Sequence, residues 1–211
     1  MLEVITLAVS PLFSNCHLLF DSETRKALII DPGGDADRII QTIEQKRLVP
    51  QQVINTHGHG DHIAANQRMV EQYQIPLAIH HEDAAMLTDA EANLSALIGM
   101  PVTSPPADRL LEQDDQINLA GSVITVRHTP GHSPGGIALC VDGMVFSGDA
   151  LFAGSIGRSD LPGAAHDVLI HSIFTQLLAL PDETRVFPGH GPETTIGQER
   201  QSNPFLQTPP S

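Results

Sequence analysis

Three histidines and an aspartate, His57, His59, Asp61 and His62, fall within six positions in the run Thr56-His57-Gly58-His59-Gly60-Asp61-His62. A core absorbs such a cluster only if each imidazole finds a partner, and a divalent cation is a partner that all of them accept. More donors of the same kind follow, each in a turn rich in Gly or Pro. His132 lies in His128-Thr129-Pro130-Gly131-His132-Ser133-Pro134-Gly135-Gly136, Asp149 follows Ser147-Gly148, and His190 sits in Pro188-Gly189-His190-Gly191. Imidazole and carboxylate donors suit zinc, iron or manganese. Seven donors are too many for one tetrahedral ion and fit two ions sharing a carboxylate, a combination that activates water for attack on acyl bonds. An exposed His-rich loop is the competing reading of the first cluster, and it weakens with each further donor from a similar turn.

Most of these donors follow a short apolar run, so the scaffold has to bring several strand ends to one point. Runs rich in Val, Ile and Leu at residues 4–9, 16–20, 27–30, 53–55, 77–79, 123–126, 137–141 and 144–146 read as strands. Helical spacing covers residues 36–46, 61–73, 82–87 and 166–180. Strands in bursts with helices outside them predict two packed sheets covered by helices, in preference to a doubly wound parallel sheet. Gly58 and Gly60 are expected to supply unusual backbone angles that aim His57 and His59 at one point. Residues 99–108 read as a surface loop and the tail from Asn203 as frayed. No repeat or low-complexity tract interrupts the chain, and residues 1–211 read as one domain.

The 211 residues are 41% hydrophobic, enough for a globular core. Eleven Lys and Arg against 25 Asp and Glu give a net charge of -14 with no basic run, which argues against nucleic acid as a partner. Cys16 and Cys140 are too few for a disulfide framework and read as ordinary thiols of a reducing compartment. The first residues carry no basic segment before an apolar stretch, and no run reaches the length of a membrane span. A soluble, cytoplasmic protein with no membrane partner is expected.

The motifs HGHGDH, HTPGHSPGG, GDALF and PGH, in this order, resemble the metallo-β-lactamase superfamily. Within it the chain is similar to the glyoxalase II type, in particular to short single-domain bacterial hydroxyacylglutathione hydrolases without a C-terminal helical domain. The stretches IIDPGGD, GSIGRSDLPG and GHGPETTIGQERQSNPF extend the likeness over about the whole chain. The resemblance implies an α/β fold, the four-layer αβ/βα sandwich. It further implies that His57, His59 and His132 hold one metal ion, that Asp61, His62 and His190 hold a second, and that Asp149 bridges them. Two divalent ions are implied, zinc foremost, with iron or manganese as alternatives. The implied reaction is hydrolysis of a 2-hydroxyacyl glutathione thioester to a 2-hydroxy acid such as D-lactate and glutathione, the methylglyoxal detoxification step. Asp61 would orient the attacking hydroxide as well as ligate. The commonest β-lactamase subclass has a Cys ligand in place of the bridging-position Asp, which speaks against β-lactam hydrolysis.

Two further residues are candidates. Asp31, at the end of the run 27–30, would fix the tautomer of a ligand histidine through its other nitrogen, with an Asx turn over Pro32-Gly33-Gly34 as the alternative. Arg158 would clamp a substrate carboxylate, or else pair with Asp160 or Asp149. His80 and His81 have no matching partner segment and read as surface histidines, and His17, His128, His166 and His171 read as isolated. A mononuclear iron persulfide dioxygenase, whose family shares the GR-x-D stretch at 157–160 and would use His57, His132 and Asp149, is the first alternative function. A metal-dependent phosphodiesterase is the second. The protein is expected as a monomer or weak dimer whose partner is a small glutathione thioester.

Overall fold

The computed structural model describes residues 1–208. Most strands belong to two six-stranded sheets. The first consists of β1 (Leu2–Val9), β2 (Ser14–Asp21), β3 (Lys26–Ile30), β4 (Val49–Ile54), β5 (Leu77–His80) and β6 (Arg109–Leu111), side by side in that order. The chain then forms β7 (Gln116–Leu119), β8 (Ser122–His128), β9 (Ile137–Val141) and β10 (Met144–Gly148), a small hairpin of β11 (Leu151–Phe152) and β12 (Ser155–Ile156), and finally β13 (Arg185–Pro188) and β14 (Thr194–Thr195). The second sheet runs β14-β13-β10-β9-β8-β7. Among the described residues five α-helices accompany them: α1 (Ala36–Gln45), α2 (Gly60–Ile63), α3 (Asn66–Tyr73), α4 (His166–Ser172) and α5 (Ile196–Ser202).

Side-chain alternation assigns the layers. In β3, Ala27 and Ile29 face an outer core with Ile39 and Ile43 of α1 and Met69 of α3, whereas Leu28 and Ile30 face a middle core with Ile124, Leu139 and Phe146 of the second sheet. The far side of that sheet buries Ala138, Val145 and Val186 against Leu169 and Ile170 of α4 and Ile196 of α5. Three cores between helix, sheet, sheet and helix are the four layers of the expected αβ/βα sandwich. Strands covered on both faces need apolar residues at successive positions, which is why they read as continuous runs.

Strand direction gathers the functional loops. β3, β4 and β5 are mutually parallel, so their C-terminal ends share one edge of the first sheet. β8 and β10 are both antiparallel to β9, and β13 is parallel to β10, so the ends of β8, β10 and β13 share one edge of the second sheet. No helix among the described residues is long and apolar enough to cross a membrane.

Several local expectations need correction. The helical run 61–73 breaks into α2 and α3 because the amide of Ala65 donates to Pro32 O, at 2.8 Å, instead of continuing a helical ladder. Residues 82–87 form part of a 3₁₀ turn, His81–Thr88, and the helix starting at residue 166 widens into a π turn over Ile173–Leu177. The tail does not fray at Asn203, which is fully buried and whose side chain accepts from the amide of Phe205, and Leu206 closes the third core. Residues 209–211 of that expectation lie outside the described residues.

Candidate metal centre

The end of β4 leads into residues 56–62, and His57, His59 and His62 are all buried there. Gly58 and Gly60 are not in the left-handed region, contrary to the expectation. They permit close approach instead: a Cβ at Gly58 would lie 2.6 Å from Met86 Cβ, and one at Gly60 2.6 Å from Ser95 Cβ.

The loops after β8, β10 and β13 bring His132, Asp149 and His190 to the same place. Nδ1 of His59 and Nε2 of His132 lie 2.9 Å apart, and ring donors of His57, His59 and His132 form one compact triad. Asp61, His62 and His190 form a second, with His190 Nε2 at 3.2 Å from Asp61 Oδ2 and 3.3 Å from His62 Nε2. Asp149 stands between them, 3.4 Å from His62 Nε2, 3.5 Å from His132 Nε2 and 3.6 Å from His190 Nε2.

Neighbouring groups orient the rings. His132 Nδ1 donates to the carbonyl of Arg158 at 2.8 Å, leaving Nε2 for the triad. Nδ1 of His62 is 3.2 Å from Asp31 Oδ2. That same carboxylate accepts from the Thr56 hydroxyl at 2.6 Å and, through Oδ1, from the Thr56 amide at 2.7 Å. The Thr56 hydroxyl in turn accepts from His57 Nδ1 at 3.2 Å, which turns His57 Nε2 inward. One buried carboxylate thus orients ligand-type rings of both triads.

His57 Nε2 and Asp149 Oδ1 are buried without any hydrogen-bond partner. Leaving such atoms unpaired is costly, and both point to a cation as the missing partner. Burial and the neighbouring imidazoles hold His57 well below its ordinary value, and burial with His132 and His62 brings His59 down to about 3, so both rings are neutral donors. At His62 burial is outweighed by Asp61, Asp149 and Asp31, which raise its value. Carboxylates that favour a proton on this ring also favour a divalent cation in the proton's place.

Asp83 is a functional residue the sequence reading missed. Fully buried, it accepts from the Gly58 amide at 3.0 Å, the Ser133 hydroxyl at 2.7 Å and the Gly135 amide at 2.6 Å, fastening the loop of His57 and His59 to the loop of His132. Burial raises its carboxyl value against the opposing pull of those three donors. Its signal lay in the run His80-His81-Glu82-Asp83, where the histidines masked it.

His80 is likewise not a surface histidine. It is 2% exposed and stacks on His128 with ring centroids 4.1 Å apart and planes 14° from parallel, because the ends of β5 and β8 meet across the two sheets. Glu82 joins them in a group of donors separate from the two triads. Parallel rings do not aim their in-plane lone pairs at one point, and His128 Nε2 donates to Pro134 O at 2.9 Å, so this trio serves packing. His81 is exposed, and His17 is buried edge-on to Phe146 and Phe187.

A cleft of about 460 Å³ opens onto the two triads. Leu12, Leu94, Leu97, Ile98, Phe152 and Leu161 line it, with Arg158 at its side. The Arg158 guanidinium is occupied by a bidentate pair to Asp160, at 2.9 and 3.0 Å, and both side chains are largely exposed.

Residues 9–190 match the metallo-beta-lactamase superfamily. The chain is 41% identical to the probable metallo-hydrolase YqgX of Bacillus subtilis, covering 95% of each, and 37% identical to the hydroxyacylglutathione hydrolase GloC of Haemophilus influenzae, covering 98% of this chain and 99% of GloC. Among solved structures it is similar to the B3 metallo-beta-lactamase BLEG-1, at 39% identity and a TM-score of 0.94 over 98% of this chain and 100% of the other. It is also similar to TTHA1623 in a di-iron-bound form, at 39% identity and a TM-score of 0.85 over 96% of this chain and 100% of the other.

Proposed function

The chain belongs to the metallo-beta-lactamase superfamily, and from that premise we propose that it is a metal-dependent thioester hydrolase of the hydroxyacylglutathione hydrolase type. The observation that carries this reading is the position of Asp149, whose carboxylate lies within 3.6 Å of histidines from both triads. A shared carboxylate between two three-donor sets is what a pair of divalent ions requires. His57, His59 and His132 would hold one ion, Asp61, His62 and His190 the other. The 37% identity to a hydroxyacylglutathione hydrolase supports the choice of bond, and the di-iron-bound relative makes iron a candidate beside zinc.

When bound, such a pair supplies Lewis-acid polarisation of the carbonyl and acidification of water. The protein's own residues do the rest. Asp61 Oδ2, beside His190 Nε2, is placed to accept a hydrogen bond from the attacking nucleophile and fix its direction. Burial and His62 oppose each other at this carboxyl, and His62, with the hydrogen bond from His190, wins, holding it ionised well below the ordinary carboxylate range. Asp31 and Thr56 keep His62 and His57 in one tautomer, so donors need not reorganise during turnover. A thiolate leaves with little basicity, so the reaction needs no dedicated general acid.

The test is metal analysis of one preparation followed by assays with S-lactoylglutathione, glutathione persulfide with oxygen uptake, a phosphodiester and a β-lactam. Two ions per chain with thioester hydrolysis dominant is the expected result. Oxygen uptake with one iron per chain would establish the dioxygenase instead, and dominant β-lactam turnover would place the protein with BLEG-1 in activity as well as shape.

A further inference from the structure

The cleft bears on which thioester is cleaved. A glutathione thioester carries two carboxylates on its tripeptide arm, and a site that gripped this arm would offer free cations. Arg158 is the one cationic side chain of the lining, and Asp160 already occupies its guanidinium through two hydrogen bonds. The chain's net charge of -14 opposes an anionic arm at longer range.

Away from the donors of the two triads and the buried Asn93 and Ser95, the lining is apolar and much of it is wet. Leu97 is 65% exposed, Ile98 52% and Leu12 47%, on two segments that both border the cleft. Phe152 carries this surface inward to the second triad, its ring edge-on to His190 with centroids 6.1 Å apart. Large aliphatic side chains held in water beside a reaction centre mark a surface that gains when an apolar group covers it. At about 460 Å³ the cleft is much larger than a two-carbon hydroxyethyl group needs and falls within the range of sites that enclose a whole small ligand.

Resting on the thioesterase reading, we infer that the cleft receives the acyl side of the substrate and that the enzyme selects 2-hydroxyacyl thioesters with an aliphatic chain of several carbons, leaving the tripeptide in solvent. Charge complementarity fixes this orientation: beyond the two triads the described lining offers the charged arm no free cationic side chain, and it offers the uncharged arm Leu94, Leu97, Ile98 and Phe152.

The experiment is a chain-length series of S-(2-hydroxyacyl)glutathiones from three to eight carbons on the metal-loaded protein. kcat/KM is expected to rise roughly two- to fourfold per methylene until the cleft is filled. Leu97→Ser with Ile98→Ser should flatten that slope while melting temperature and metal content stay unchanged. A parallel series holds the acyl group constant and exchanges glutathione for a small neutral thiol, with kcat/KM expected to stay within about threefold. Calorimetric titration with 2-hydroxyoctanoate against lactate reads the same preference without catalysis. A flat acyl series, or a slope on the thiol side only, overturns the inference. Absence of any thioester hydrolysis overturns the thioesterase reading instead, and 2-hydroxyoctanoate binding no more tightly than lactate then removes the inference as well.

Discussion

The carboxylate of Asp83 accepts a hydrogen bond from the amide of Gly135 at 2.6 Å, joining positions 52 residues apart. Because the same carboxylate also holds the Gly58 amide, one side chain bridges the two loops of the first triad, beside the backbone bond from the Ile137 amide to Thr56 O at 2.8 Å. Neither glycine brings a side chain to the contact, so all the specificity resides in Asp83.

Asp83→Asn tests this fastening. An amide has one acceptor oxygen where the carboxylate has two, and its NH₂ would face a backbone donor. The substitution is expected to weaken metal binding at the triad of His57, His59 and His132 by about 10- to 100-fold and to lower stability by about 1–3 kcal/mol. The triad of Asp61, His62 and His190 should keep its affinity. Chelator competition resolves the two sites, and equal weakening at both would reduce Asp83 to a general structural role.

Metal and activity should disappear together at the shared donor. Purified protein is expected to hold close to two ions per chain, with His57→Ala and Asp149→Ala each losing metal and turnover in parallel. Elemental analysis beside the thioester assay decides it. An Asp149→Ala protein with both ions and normal turnover would remove the bridge.

His17 predicts an acid-sensitive contribution to stability. Its Nε2 donates to Pro188 O at 3.1 Å and its Nδ1 accepts from the Thr6 hydroxyl at 3.0 Å, and burial lowers its value from 6.5 to about 4. A histidine with a depressed folded value contributes fully above pH 6.5 and loses that contribution as pH falls toward 4, about 2 kcal/mol by pH 5. Denaturant unfolding of the wild type should therefore weaken between pH 7 and pH 5 more than that of His17→Gln. Parallel curves for the two proteins would mean that folding leaves the titration of His17 unshifted, and a wild type that gains on His17→Gln toward pH 5 would mean that the ring is protonated when folded.

At Arg158 the side chain and the backbone do different work. The carbonyl orients His132, and the exposed pair with Asp160 is screened by solvent and adds little to stability. Arg158→Ala should accordingly keep its metal and change KM for S-lactoylglutathione by less than about threefold. A tenfold rise in KM at constant kcat would restore the carboxylate clamp expected from the sequence.

What the sequence made legible follows from where each signal resides. His57, His59, Asp61, His62, His132, Asp149 and His190 announce themselves because each pairs a donor side chain with a turn next to an apolar run. Asp31 was legible from its place at the end of β3. Asp83 was not, since two of its three partners are the backbone amides of Gly58 and Gly135 and the adjacent His80 and His81 drew attention from it. The stack of His80 on His128 joins ends of strands in different sheets, a juxtaposition that no local spacing encodes. The nearness of residues 98–106 and 152–161 to the ligands in sequence points to the groove, and Ile98, Phe152 and Leu161 do line the cleft; Leu97 was not legible, because it sits in a short 3₁₀ turn with no periodicity to show which face is wet.

The two-sheet origin of the donors also governs when the centre can exist. His57 to His62 come from the first sheet, and His132, Asp149 and His190 from the second. The loop of His190 is clasped by the opposite end of the chain, where the Asn15 amide donates to Gly189 O at 2.7 Å and the Asn15 side chain donates to Pro188 O and Gly191 O at 2.9 Å. A nascent polypeptide still on the ribosome therefore displays the clasp and the first four donors long before the last donor is translated. Assembly of both triads waits for His190, and chains terminated before it lack the donor that completes the second triad.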